Sequence, residues 1–367
     1  MTKRENYTRI LKKERAERLP FVPNFDHWLN VNRTNKTLPK EYQDMSRNDI
    51  VRAVGGTIWA RTGVIETSYS PEIEVTKSES GDRIITEYRT PVGTVRTLHQ
   101  YATDLTRALF LKEHWVKKVD DIRVVKYIAE HIRYSLNTDP FLQSEREVGE
   151  DGLSLVSPPL CLPYIEFGKN DAGWERGIYL FADYQKEVEE LMEVYTFKAE
   201  EAARLLASSP VLVVHQGDNM DEWTTPPGTF RKYAIPFYRR IAHILHQAGK
   251  IYEVHWCGRT EHLLPFVPEC DIDVVEAMAT RPMSRLTIPE ALKLVGENVV
   301  IQGGIPSVLL CSQGGSRQDF KDYLENLLPG VPHGYRFALG MGDNVPPDAD
   351  FERVKMVAEI LKLSASV

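Results

Sequence analysis

The residues best suited to chemistry stand in the segment IYEVHWCG, where His255 and Cys257 are two positions apart. Successive side chains of a β-strand point to opposite faces, so residues two apart share a face and can reach the same metal ion. An imidazole nitrogen and a thiolate suit Zn²⁺, and a catalytic zinc keeps one coordination position open. The pattern predicts a zinc site, although a buried cysteine near a hydrogen-bonded core histidine would give the same letters.

Polar residues also close other apolar runs of the chain. If these runs are the strands of a parallel barrel, their carboxyl ends meet at one face, which is where the active sites of such barrels lie. The residues concerned are Asn24, Asp26, His27, His215, Gln216, Asp218, Asn219, Glu276, Gln302, Asp343 and Asn344. Loops and helix caps are polar in most proteins, so each of these residues also has an ordinary structural explanation.

Aromatic residues near the same run ends could line a flat pocket for an aromatic ligand. Phe25 and Trp28 belong to this group. The candidate substrate-binding residues, polar and aromatic, are Asn24, Asp26, His27, Trp59, Tyr164, Trp223 and Trp256. Packing between strands and helices explains the aromatic members equally well, so the two interpretations stay open.

A recurring unit of short buried strand, polar loop and amphipathic helix must position these residues, and this unit is typical of a parallel sheet covered by helices. Eight strands are predicted, at 21–26, 56–62, 153–164, 211–218, 251–257, 272–277, 299–304 and 335–340. Between the fourth and fifth, FRKYAIPFYRRIAHILHQAG has apolar residues three and four apart and Gly249 at its end, as expected of a crossover helix. The sequence therefore predicts an α/β fold, a (β/α)8 TIM barrel.

One stretch in the N-terminal third departs from this unit. In IEVTKSESGDRIITEYRT, apolar and polar residues alternate around Ser80-Gly81-Asp82, which indicates a β-hairpin, and PVGTVRTLHQ adds a third extended piece. We predict an antiparallel β-hairpin insertion at 65–101, over one mouth of the barrel. Because no linker or internal repeat is visible, the whole chain, 1–367, is predicted to be one domain. A long helix is predicted from Tyr184 to Ser208.

Composition restricts the class of protein. The 367 residues include 45 Lys and Arg against 52 Asp and Glu, a formal net charge of −7, and the basic residues form no long run, which argues against nucleic-acid binding. The charged start MTKRENYTRILKKERAERLP is not followed by an apolar stretch, so we expect a cytoplasmic protein that does not enter the membrane. The four cysteines form no CxxC pair and are expected to be thiols or metal ligands.

The C-terminal half resembles the uroporphyrinogen decarboxylase superfamily. The resemblance is carried by the segments GDNMDEWTTPPGTFRKYAIPFYRRIAHILHQAGKIYEVHWCG, IDVVEA, VVIQGGI and ALGMGDNVPPDADFERV. In that superfamily an acidic strand end, a Pro-rich helix start, a strand ending in H-x-C-G, a Gly-Gly strand and a closing N-x-x-P-D loop follow in the same order. The resemblance implies a (β/α)8 barrel with its active site around these motifs.

The N-terminal half bears on the branch of the superfamily. Decarboxylases carry an R-Q-A-G-R-Y segment near the first strand, which holds the propionates of their substrate, whereas this chain has FVPNFDHWLNVNR. The resemblance therefore implies the corrinoid-dependent methyltransferase branch, in which the H-x-C pair binds zinc with a further ligand near the eighth strand. That ligand is usually a cysteine, whereas here the position offers Asp343, with Glu276 as the second candidate.

The resemblance implies transfer of a methyl group from a methylated small molecule to a Co(I) corrinoid. A carboxylate in place of a thiolate makes the metal more Lewis-acidic, which favours O-demethylation of a methoxylated aromatic. We expect the corrinoid on a separate carrier protein, because the chain lacks a D-x-H-x-x-G arrangement. The catalytic candidates are Asp218, Asn219 and Glu276, of which the first two would position the substrate or protonate the leaving oxygen.

Other functions stay open at this point. A methylcorrinoid:thiol methyltransferase would use the same zinc, and a decarboxylase of a smaller carboxylic acid would use residues such as Asp218 and Arg61 without a metal. A barrel that has lost catalysis and serves as a binding subunit is a third possibility, which the crowded polar run ends argue against. The sequence also leaves open whether the chain forms a homodimer.

Overall fold

The structure is a computed structural model that describes residues 1–104, 106 and 108–364. The predicted domain 1–367 therefore includes five residues, 105, 107 and 365–367, that lie outside the described residues. The strands are β1 Phe21–Val22, β2 Ile58–Thr62, β3 Ile65–Tyr69, β4 Glu74–Ser80, β5 Arg83–Thr90, β6 Gly93–Tyr101, β7 Leu109–Glu113, β8 Ile132–Leu136, β9 Gly152–Val156, β10 Val213–Gln216, β11 Ile251–His255, β12 Val274–Met278, β13 Val300–Ile305 and β14 Phe337–Met341.

Helices connect these strands and cover the sheet. They are α1 Lys3–Leu11, α2 Asp26–Asn35, α3 Arg47–Ala53, α4 Val119–Glu130, α5 Asp139–Val148, α6 Pro163–Ile165, α7 Trp174–Asp183, α8 Gln185–Ala207, α9 Pro227–Thr229, α10 Ile235–Gln247, α11 Ile288–Leu294, α12 Arg317–Leu327 and α13 Phe351–Ser364. Within the described residues, no helix is both long enough and apolar enough to cross a membrane.

Eight parallel strands form the main sheet, in the order β1-β14-β13-β12-β11-β10-β9-β2. Neighbours in this order follow one another along the chain except where β14 meets β1 and where an insertion separates β2 from β9. The sheet is a nearly closed (β/α)8 barrel, and the predicted α/β fold class is confirmed. Each predicted strand segment overlaps one barrel strand.

The strand boundaries differ most in two places. The predicted strand at 153–164 ends at Val156, because Pro158, Pro159 and Pro163 follow and proline has no N–H to donate to a strand ladder. The predicted strand at 21–26 ends at Val22, and Asp26 is the first residue of α2. The polar residues predicted to end the first strand therefore lie in a loop or at the start of α2.

An apolar layer closes the amino-terminal end of the barrel. Tyr7, Ile10 and Leu11 of α1 are buried against residues that point inward from the strands. The inward residues are Val22, Leu153, Leu155, Val213, Ile251, Val274, Val300 and Ala338. Because this end is filled by side chains, access to the polar residues of the interior is left to the carboxyl ends of the strands.

The antiparallel structure between β2 and β9 contains the predicted hairpin and extends beyond it. β4, β5, β6 and β7 form a four-stranded antiparallel sheet, and β3 pairs antiparallel with β8 at Ile132–Leu136. Helix α4 packs on this sheet through a second apolar cluster that includes Val95, Ile122 and Val125. The insertion begins at Ile65, three residues after β2 ends, so it leaves from the carboxyl end of that strand.

Candidate metal centre

Strand β11 presents a row of polar side chains to the barrel interior. Tyr252, Val254 and Trp256 point outward into the core between the sheet and its helices. Glu253 and His255 alternate with them and therefore face inward. Cys257, two residues after the end of the strand, continues the same row. Glu253 and His255 are buried, and Cys257 is half-buried. The row runs from the closed interior towards the open mouth.

His255 is held from one side by a carboxylate on the neighbouring strand. Its Nδ1 lies 2.5 Å from Oε2 of Glu276, which is paired with His255 in the β11–β12 register. This hydrogen bond leaves Nε2 free to bind a metal, and Nε2 lies 3.7 Å from Oδ1 of Asp343. One possible ligand atom from each of His255, Cys257 and Asp343 lies within 4.8 Å of the other two. The structure thus brings together the three residues predicted as metal ligands.

A second group of possible ligand atoms shares His255, since His215, His255 and Glu276 also lie within 4.8 Å of one another. The separation of 2.5 Å between His255 and Glu276 is that of a hydrogen bond. Two tetrahedral ligands bound at 2.0–2.1 Å lie roughly 3.3 Å apart. The geometry therefore favours Glu276 as the residue that orients His255, and Asp343 as the third ligand.

The charges of this pair are linked. Burial lowers the pKa of His255, but the adjacent Glu276 and Cys257 raise it, and the net pKa lies well above the ordinary histidine value. Burial raises the pKa of Glu276, whereas the charge of His255 lowers it, and the net pKa is below the ordinary value. A metal bound at Nε2 would take the place of a ring proton and would leave the hydrogen bond between Nδ1 and Glu276 intact.

A deeper polar layer lies beneath His255. His215 Nδ1 is 2.8 Å from Oε1 of Glu253, and the indole N–H of Trp59 donates to the same oxygen at 3.2 Å. The ring centroids of His215 and His255 are 5.8 Å apart. Burial raises the pKa of Glu253, and the hydrogen bond from His215 opposes this rise. This layer separates the metal-ligand cluster from the apolar plug below it.

Sequence reasoning did not identify Glu253 as part of the site. The sequence nevertheless contained the signal that could have identified Glu253. It is a charged residue in the middle of the apolar run IYEVH, and because it stands two positions before His255 it shares the inner face of the strand. A buried carboxyl group of this kind requires polar partners, which Trp59 and His215 provide. Trp59, predicted to bind substrate, lies with these groups inside the barrel.

Asp218 and Asn219 follow β10 and differ in exposure. Asp218 is fully buried and accepts hydrogen bonds from the Leu162 amide at 2.7 Å, the Tyr238 hydroxyl at 2.6 Å and the Gln216 side chain at 3.2 Å. Burial raises the pKa of Asp218, and the Tyr238 hydroxyl opposes the rise. These bonds tie the loop after β9 to β10. Asn219 is exposed and has a φ of 52°, in the left-handed region.

The candidates that follow β1 occupy different environments. Asn24 is buried, and its carbonyl accepts from the amide of Val345 at 2.9 Å. Burial raises the pKa of Asp26, but Arg47 at 2.6 Å and Arg61 at 2.7 Å lower it more, so the net pKa is below the ordinary value. His27 is exposed and lines a cavity of 840 Å³ with residues of the insertion.

The other aromatic candidates do not join Trp59. Trp256 packs outward, with its ring 5.5 Å from that of Phe230. Tyr164 is half-buried and stacks on Tyr233 at 5.9 Å. Trp223 is 74% exposed, and the guanidinium carbon of Arg259 lies 3.7 Å from its ring centroid. Substrate binding by these three residues stays a prediction.

The sequence model of one family, uroporphyrinogen decarboxylase (URO-D), matches residues 153–363, more than half of the chain. The matched span runs from the second residue of β9 to beyond β14, and it includes His255, Cys257 and Asp343. The chain belongs to the uroporphyrinogen decarboxylase family. No curated protein matches the chain.

Two solved structures are similar to this URO-D family member to different degrees. A methyltransferase from Methanosarcina mazei superposes with a TM-score of 0.61 at 13% sequence identity, over 99% of both chains. D-psicose 3-epimerase from Clostridium cellulolyticum H10 gives a TM-score of 0.36 at 11% identity, over 62% of this chain and 82% of that one. The alignment with the methyltransferase covers the insertion as well as the barrel.

Proposed function

We propose that this URO-D family member is a zinc-dependent methyltransferase that takes a methyl group from a methylated small molecule, with a methoxylated aromatic as the best candidate. The acceptor is the Co(I) corrinoid of a separate carrier protein. The observation that carries the proposal is the convergence of His255, Cys257 and Asp343 at the open mouth of the barrel. The methyltransferase from Methanosarcina mazei, which has the same fold, is consistent with this reaction class.

The three side chains fit zinc by their chemistry. Zinc binds imidazole nitrogen, thiolate and carboxylate oxygen with tetrahedral geometry, and three protein ligands leave a fourth position for a substrate. A single thiolate donates less electron density than two, so a metal held by this set is the stronger Lewis acid. Zinc bound here would supply Lewis-acid polarisation of the oxygen that leaves the methyl group.

The residues around the ligands have separable tasks. Glu276 holds the ring of His255 in the orientation that turns Nε2 towards Cys257 and Asp343. Trp59 and the His215–Glu253 pair fill the interior below and keep water away from the inner side of the cluster. The half-buried Cys257 and Asp343 stand on the mouth side, where donor and carrier protein arrive.

The leaving oxygen needs a proton when the reaction ends. The methyl group leaves without the electron pair of the C–O bond, so the oxygen keeps that pair and takes a proton from solvent water at the open mouth. Asn219 is exposed at the mouth, whereas the carboxylate of Asp218 accepts three hydrogen bonds within the protein. We therefore assign Asp218 the task of positioning the loops and leave the contact with substrate to Asn219.

The test is methyl transfer to free cob(I)alamin, followed by the absorbance of methylcobalamin, with a panel of methoxylated aromatics and zinc-loaded protein. Cys257→Ala should abolish transfer while circular dichroism shows a folded protein. Cys270→Ala is the matched control, because this buried thiol donates only to a backbone carbonyl. Equal activity of wild type and Cys257→Ala would show that the metal takes no part in the reaction. Release of CO2 from a carboxylic acid without methyl transfer would favour the decarboxylase alternative.

A further inference from the structure

We propose that Arg61 binds a carboxylate of the methyl donor on the β2 side of the barrel mouth, across the interior from His255 and Cys257. The inference rests on the proposed function and narrows it, because it names an anionic methoxylated aromatic as the substrate class. A monoanionic ring with its methoxy group on one edge and its carboxylate on the opposite edge would extend across the mouth.

The strand register places Arg61 on the inner wall. In β2, Ile58 and Ala60 belong to the core outside the barrel, whereas Trp59 belongs to the interior cluster. Residues two apart on a strand share a face, so Arg61 follows Trp59 towards the mouth. Its guanidinium carbon lies 5.2 Å from the centroid of the Trp59 ring, which confirms this direction.

The position of β2 in the barrel sets what Arg61 faces. In the sheet order, β2 is three strands from β11 and four from β12. In a closed eight-stranded barrel, strands four apart are on opposite sides. Arg61 thus stands across the interior from Glu276 and near-opposite to His255.

The carboxylate that contacts Arg61 does not fully neutralise the positive charge around it. Arg61 and Arg47 share one carboxylate, that of Asp26, so the group of three carries one surplus positive charge. Arg47 also donates to the carbonyl of Trp59 at 2.7 Å and to the side chain of Asn48 at 3.4 Å.

Arg61 is the more accessible of the two arginines. Its side chain is 38% exposed against 19% for Arg47. One of its terminal nitrogens donates to Asp26 at 2.7 Å. A planar guanidinium held on one edge and open on another is suited to binding a carboxylate with two parallel hydrogen bonds.

The test compares the binding of 4-methoxybenzoate with that of 4-methoxybenzamide, a neutral molecule of the same shape, by isothermal titration calorimetry. Zinc-loaded wild-type protein should bind the anion at least about tenfold more tightly than the amide, as expected for a charge-assisted pair. Arg61→Met should bind the two molecules equally, and Arg61→Lys should keep part of the preference because it keeps the charge. Arg240→Met, which removes an exposed arginine from the outer surface of α10, should behave as wild type.

Cys257→Ala separates binding by Arg61 from binding by the metal. A preference for the anion that survives in Cys257→Ala and is lost in Arg61→Met supports the proposal, even if no methyl transfer is found. A preference that is lost in Cys257→Ala and kept in Arg61→Met assigns the carboxylate to the metal and overturns the proposal. Absence of binding, or equal binding of anion and amide by wild-type protein, also overturns the proposal for Arg61. The methyltransferase proposal is then decided separately by the methyl-transfer assay.

Discussion

At the scale of single residues, the candidate site depends on how one histidine is held. His255 has a carboxylate on its Nδ1 side and two possible metal ligands on its Nε2 side. A ring fixed in this way presents its free nitrogen in one direction, which lowers the conformational cost of binding a metal. In the proposed zinc site, Glu276 therefore orients His255, whereas Cys257 and Asp343 supply donor atoms.

Replacing Glu276 with glutamine tests this division of tasks. Glu276→Gln keeps the size of the side chain but removes the charge that holds His255, so zinc affinity should fall roughly 10- to 100-fold. Competition with a chromophoric chelator measures the affinity. Glu290→Gln is the control, because Glu290 is an exposed capping residue of α11 and should leave the affinity unchanged. An unaltered affinity in Glu276→Gln would mean that His255 needs no such support.

Asp343 can be tested by changing the type of donor atom. Asp343→Asn should weaken zinc binding because the charged oxygen is lost, whereas Asp343→Cys should retain binding through a second thiolate. X-ray absorption at the zinc edge should then show about two sulfur ligands in the cysteine variant and about one in the wild type. The same sulfur content in both proteins would exclude residue 343 from the coordination sphere.

At the residue level, the sequence predicted the three residues that the structure brings together, but not the side chains that hold His255 in place. The H-x-C spacing was sufficient for His255 and Cys257, and the resemblance led to Asp343. Glu253 was missed, and Glu276 was placed without its partner, because a hydrogen bond between strands depends on the register of β11 and β12. Spacing along one strand contains no information about that register.

At the scale of elements, loops after β9 and β10 are tied together by a buried carboxylate. Asp218 accepts from the amide of Leu162 and from the hydroxyl of Tyr238, which lies on α10. One side chain thereby connects a loop, a strand end and a helix around the mouth. Because the contact is buried, its loss should affect stability as well as the shape of the mouth.

Tyr238→Phe removes the hydroxyl and should lower the free energy of unfolding by about 1–3 kcal/mol. Burial raises the pKa of Asp218 in the folded state, so the contribution of this group is complete below the ordinary carboxyl pKa and is lost as the pH rises through the folded-state value. The Tyr238 hydroxyl opposes that rise. The loss in Tyr238→Phe should therefore be larger at pH 7 than at pH 5.

Urea denaturation at the two pH values measures this difference, and Tyr335→Phe is the control because Tyr335 is an exposed tyrosine. An equal loss at both pH values would show that the Tyr238 hydroxyl acts on a neutral Asp218.

The elements themselves were largely predictable. Short apolar runs that alternate with amphipathic helices indicated eight parallel strands, and the structure has them in the predicted segments. Chain order alone could not show where the insertion ends. The strand β8, which pairs with β3, lies more than sixty residues further along the chain, and such long-range pairing leaves no local pattern.

At the scale of the whole molecule, the two ends of the barrel are chemically distinct. Apolar side chains from α1 and from seven of the eight barrel strands fill the amino-terminal end, and the polar groups of the interior lie above them. Strand β2, from which the insertion leaves, ends at the polar mouth. This division of a stable closed end from a reactive open end is the arrangement expected of a barrel enzyme.

Elemental analysis of purified, zinc-replete protein tests the central claim of a zinc centre at the mouth most directly. Wild-type protein should contain about one zinc per chain, and Cys257→Ala should contain almost none while Cys270→Ala matches the wild type. Wild-type protein that is folded and free of zinc under these conditions, or Cys257→Ala protein that retains the full amount, would contradict the assignment of His255, Cys257 and Asp343 as metal ligands.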